Sequence, residues 1–238
     1  MKSGFDDIVL DGRETITEPV DVRNLGIVGQ LSFSRKVEAD TVWIRGKAQF
    51  SSVITCDWLT VEGQCTAQIE VITEQIKNKH GVIWFYGRVY SNSIISSGEI
   101  KSYDVIHSDR INIAKGALME ASGRIKADTV KIFGRFLSTT TVNATEIRIN
   151  SEKTSEIRSI ISDILIVKRK RPEGEKKKEF TLVSDFIDCI EADIECCRIG
   201  QLCCDSAIVR SGCFIDELVY SKEVEIEPGA VVERLVKA

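Results

Sequence analysis

Four of the eight cysteines fall as two adjacent pairs, Cys196-Cys197 and Cys203-Cys204. Thiolates gathered in space hold zinc or an iron–sulfur centre, which makes this cluster the first candidate for chemistry. Its spacing matches no known ligand knuckle. Neighbours on a strand face opposite ways, so at most one thiol of each pair would reach a shared site. The plainer reading makes the inward cysteines small core residues and the outward ones free thiols, as for Cys56 and Cys65. The two histidines, His80 and His107, fall short of a three-histidine zinc site, and no neighbouring constellation would orient either as a base. A third candidate is the basic run Lys168, Arg169, Lys170, Arg171, Lys176, Lys177 and Lys178, seven cations among three glutamates. Such a run attracts phosphates or anionic lipid weakly. No aromatic side chain interleaves with it, so a single-strand stacking platform is not built and nucleic acid is not an expected partner. Neither a cofactor nor catalysis is expected.

The elements that must position these residues are written in a repeat. From Ile8, a large aliphatic residue returns at Leu25, Val42, Leu59, Ile76, Ile94, Ile111, Val130, Ile147 and Ile164, mostly 17 residues apart. A second row follows two residues later, so both rows point inward from a strand. Glycines from Gly12 to Gly134 then end the strand, where freedom to take positive φ would let the chain turn. Further inward rows read as Leu31, Ala48, Cys65, Val82, Ile100, Ala117 and Phe136, several with a partner two residues on such as Trp84 or Met119. The third side reads as Val20 through Ile160, with small followers such as Ala39 and Ser108. Asp40, Asp57, Glu74, Asn92, Asp109 and Asp128 occupy the closing corner, where short polar side chains would bond their own backbone.

This spacing predicts an all-β fold: a single-stranded β-helix, a triangular solenoid with a 6-6-5 division of each coil. About ten coils cover residues 1–167, and at roughly 4.8 Å per coil they make a rod of about 45 Å. Residues 168–181 form a basic insertion read as a hairpin or loop, and residues 182–238 carry two or three further coils. Helical periodicity does not keep three rows in step over this length. The nearer rival is the 18-residue coil of hexapeptide acyltransferases, against which the shortened third side argues. Outward apolar residues at Val9, Val28, Trp43, Ile95, Phe133, Leu165 and Val167 are out of place on a solvated face and call for a cover or a partner. The inward residues at the two ends, Ile8, Leu10, Ile16 and Val20 at one and Val231 and Leu235 at the other, are the candidate assembly contacts. A hydrophobic content of 43% is ample for a core, and a net charge of −4 says little about partners. Neither a membrane span nor a secretory leader is read, and the cysteine usage suits the cytoplasm.

The coils of aliphatic–polar–aliphatic–polar–glycine strands, with Asp188-Cys-Ile-Glu-Ala-Asp193, Val209-Arg-Ser-Gly-Cys213, Leu218-Val-Tyr220 and Val224-Glu-Ile226, resemble the bactofilins, bacterial polymer-forming cytoskeletal proteins. The likeness covers most of the chain. It implies a right-handed triangular β-helix that polymerises end to end, without nucleotide, into non-polar filaments. Its partners would be itself, a paralogous scaffold protein and clients at the inner face of the membrane. The proline-rich tails common in that family are missing here, and the basic insertion interrupts the stack.

Overall fold

The computed structural model describes residues 7–169 and 180–238. Their strands form one 21-stranded sheet in which every registered pairing is parallel, wound into a β-solenoid of about 13 turns with about 17 residues per coil. In the earlier turns an eight-residue strand such as Val37–Ile44 covers the third side of one coil and the first side of the next. A four-residue strand such as Lys47–Phe50 covers the second side. Val42, Ala48, Ile54 and Leu59, all buried, fall six, six and five residues apart, the division read from the sequence. No helix of the described residues is long and apolar enough to cross a membrane.

Later coils tighten. Leu182 pairs with Cys197, 15 residues on, and Ile187, Ala192, Cys197 and Leu202 are spaced by five throughout. With two residues instead of three at the corner after the second side, the strands no longer break there. Leu182–Ile194, Cys197–Val209 and Phe214–Ile226 each run through 13 residues and all three sides.

The axis is filled by stacked rows of aliphatic and aromatic side chains. Phe33 lies on Phe50 with ring centroids 4.9 Å apart, and Phe85 and Phe136 are wholly buried. Area removed from water at about 25 cal/mol per Å² makes this column the main source of stability. The polar inward pair Asn78 and Ser96 is satisfied in part, Asn78 Nδ2 donating to Ser96 Oγ at 3.3 Å and to the Glu99 carbonyl at 3.0 Å, while Asn78 Oδ1 is buried without a partner among the described residues.

Five expectations are corrected. Ile83 and Phe85, not Val82 and Trp84, point inward, because the corner at His80 (φ 62°) takes an extra residue. Met119 and Ala121 continue the next such row in place of Ala117 and Met119, after a turn closed by Ala117 N–H donating to the Ala114 carbonyl at 3.1 Å. In the tenth coil Leu165 and Val167 are buried and pair with Ile147 and Ile149, so Ile164 and Ile166 face out. The corner glycines at 29, 46, 63, 98 and 134 do not have positive φ. They are required by close approach: a Cβ on Gly46 would lie 1.9 Å from the Gly29 carbonyl oxygen of the coil beneath. Finally, the acidic corner residues from Asp57 to Asp128 make no Asx bonds. Small inward hydroxyls close that corner from inside, Thr73 Oγ1 donating to the Gln75 carbonyl at 3.2 Å and Ser108 Oγ to that of Arg110 at 3.1 Å.

Candidate functional site

The two ends of the rod carry the assembly residues read from the sequence. Ile8 and Leu10 pair with Leu25 and Ile27, and Ile16 with Phe33, so all three lie in inward rows of the first coil. With no coil beneath them among the described residues, Ile8 is 36% exposed, and Leu10, Ile16 and Val20 are half-buried against the core. At the other end Leu235 continues the row of Leu218 and is 49% exposed. Val231 is a correction: it pairs with Phe214 in an outward row, and the inward residue is Val232, over Ile215. The one-residue step reverses the face. Inward positions at each end also hold one charge, Glu14 in the row of Leu31 and Lys237 in the row of Tyr220.

The cysteines separate instead of converging. Cys197 and Cys213 are buried at the start of the second side, and Cys189 and Cys204 stack on each other on the third. Cys196 sits at a corner with φ 54°, and Cys203 turns outward beside Asp188 and Glu217. Cys196, Cys197, Cys203 and Cys204 therefore do not form one set. Among the described residues no group of three or more His, Cys, Asp or Glu side chains is arranged to hold a metal. Burial pushes the Cys56, Cys65 and Cys189 thiols up to about 12, and Cys204 to about 11. Cys213 goes the other way, its pKa held down by the hydrogen bond from Cys197. The stacked pairs were legible only as a local coil length: Cys189 to Cys204 is 15 residues, Cys197 to Cys213 is 16.

The histidines lie on different sides of the rod. His80 is an exposed corner residue, and His107 stacks on Tyr90 on the third side with ring centroids 5.4 Å apart. Of the basic run, Lys168 forms an ion pair with Asp193, and the Arg169 N–H donates to the Glu195 carboxylate at 3.2 Å. Burial works against the Asp193 charge, but hydrogen bonds from Arg210 and Lys168 hold its pKa below the usual carboxylate value. Lys170, Arg171, Lys176, Lys177 and Lys178, and the expected hairpin, lie outside the described residues.

The flanks carry features the sequence reading missed. The small inward residues Cys56, Thr73, Ser91 and Ser108 floor a groove of about 580 Å³ along the corner between third and first sides. A second groove, of about 460 Å³, lies on the first side of the last coils, between Ile164, Ile208 and Glu225. Of the outward apolar residues, Val9, Val28, Ile95 and Phe133 are exposed as expected, whereas Leu165 and Val167 are core. Gly26 makes room for Val9 and Trp43 to close over it, 3.2 and 3.5 Å from where a Cβ would stand.

No family model matches the chain, and searches of curated proteins and of solved structures give no match.

Proposed function

We propose that this chain is a non-enzymatic, polymer-forming scaffold of the bactofilin kind, which assembles end to end by continuing its own β-helix. The observation that carries the reading is the exposure of inward aliphatic side chains on both terminal coils, Ile8 at one end and Leu235 at the other. Every internal coil hydrogen-bonds the coils above and below it, so a terminal coil presents a row of unpaired N–H and C=O groups around an apolar cross-section. A second copy satisfies both at once. The contact is hydrophobic, so salt weakens it little. The closest partner is another copy or a paralogous scaffold with the same coil outline. The workplace is the cytoplasm, with contact at the inner face of the membrane through clients or the basic insertion.

Electron microscopy of the purified chain tests this. A single rod of about 13 turns measures about 60 Å at roughly 4.8 Å per turn. Filaments or rods of several such lengths are expected, and uniform single rods or closed trimers would overturn the reading.

A further inference from the structure

Two of the last coils differ from the others on their first side. The anchor row that holds Leu, Val or Ile from Leu25 to Leu165 holds Ala192 and Ala207 here, both still buried. The groove of about 460 Å³ is lined by these two alanines together with Leu165 and Val224 of the same row. Two outward rows frame it. One runs Ile164, Glu191, Ser206, Glu223 and the other Ile166, Asp193, Ile208, Glu225. Apolar and acidic rungs therefore alternate along the rod.

The charges on this face are unbalanced. Asp193 is neutralised by Lys168 and Arg210, and Arg210 also holds Glu227 at 2.7 Å. Among the described residues no cation forms an ion pair with Glu191, Glu223 or Glu225. Glu191 and Glu223 lie in one row with a single serine between them, so their like charges add along one wall of the groove. The apolar component is equally unbalanced: Ile164 is 36% exposed, and Ile190, at the corner beside Glu191, is 47% exposed. Lys222, which pairs with Asp205, acts on Glu191 only as a neighbouring charge. Isoleucines left open among carboxylates without an ion-pair partner fit an occupant that brings both cations and aliphatic side chains. An anionic membrane surface is repelled by the same carboxylates.

We propose that this groove is a docking site for a basic segment of a partner protein, one in which lysine or arginine alternates with aliphatic residues. The segment lies along the rod with its cations at Glu191, Glu223 and Glu225 and its apolar side chains against Ile164 and Ile208. The site belongs to the single rod, so it operates whether or not rods join end to end.

A short fluorescein-labelled peptide alternating lysine with leucine is the probe, followed by fluorescence anisotropy on the full chain. Binding should weaken several-fold as salt is raised to physiological strength. It should fall more than tenfold in Glu191→Lys/Glu223→Lys/Glu225→Lys and in Ile164→Ser/Ile208→Ser, all outward positions, with circular dichroism confirming that each variant is folded. Asp57→Lys/Asp109→Lys/Asp128→Lys, on the acidic corner elsewhere on the rod, should bind as the parent does. No binding by the parent would overturn the proposal. So would equal losses at the groove and at the distant corner, which would reduce the effect to unspecific attraction between a cation and an acidic protein. A peptide alternating lysine with serine that bound as tightly as the leucine peptide would also overturn it.

Discussion

A methyl group on residue 46 would stand 1.9 Å from the carbonyl oxygen of Gly29 and 2.1 Å from that of Val28, well inside any van der Waals contact, and both obstacles are backbone. The corner cannot yield without shifting two coils, so Gly46→Ala is expected to cost about 1–3 kcal/mol, read as a lower thermal midpoint. The glycine row was visible in the sequence, but its cause was not. Positive φ explains four glycines, while the stacked corners need close approach, which only the packing of successive coils reveals. Residue-scale chemistry also sets a pH dependence. Burial raises the Cys65 thiol from 9.0 to about 12, so the folded chain retains a proton that the unfolded chain loses over that interval. This contribution is complete below about pH 9 and is lost as pH climbs towards 12. Urea midpoints should fall between pH 8 and pH 10.5, and Cys65→Ala should flatten that decline; a midpoint independent of pH would contradict the burial of these thiols.

At the scale of the strand, the inward rows were readable wherever polar and apolar residues alternate, because period two fixes the face. They slipped where four apolar residues follow one another. Val82-Ile83-Trp84-Phe85 and Ile164-Leu165-Ile166-Val167 have no phase of their own, and only the neighbouring coil decides which pair goes in. This gives a sharp test of register. Leu165→Asp should unfold the chain, since burying an unpaired carboxylate costs several kcal/mol, whereas Ile164→Asp should leave circular dichroism and thermal midpoint close to those of the parent. Ile111→Asp should unfold the chain in the same way. The insertion has a comparable test. Two residues separate Ile194 from Cys197 at the equivalent corner of the next coil, so deleting 170–179 leaves four residues between Val167 and Leu182, more than that corner uses. The shortened chain should remain folded and soluble, and its loss from the soluble fraction would contradict a corner of that kind.

On the scale of the whole rod, coil number and outline were legible in the sequence, and the shapes of its flanks were not. Grooves run across several coils, as at Ala192 and Ala207, and a single coil gives no sign of them. The ends follow more directly from the repeat, because the rows of Ile8 and Leu235 have no further coil over them among the described residues. Charge enters there too: Glu14 and Lys237 occupy inward positions on opposite terminal coils, where a joining copy would have to accommodate them. The measurement that bears most directly on assembly is sedimentation velocity of the parent beside Leu10→Asp/Ile16→Asp and Val232→Asp/Leu235→Asp, each confirmed as folded by circular dichroism. Large, polydisperse species are expected for the parent, little changed by salt, with collapse to small folded species in both end variants. A parent that sediments as a monomer at micromolar concentration across salt and pH, or end variants that assemble as the parent does, would contradict it.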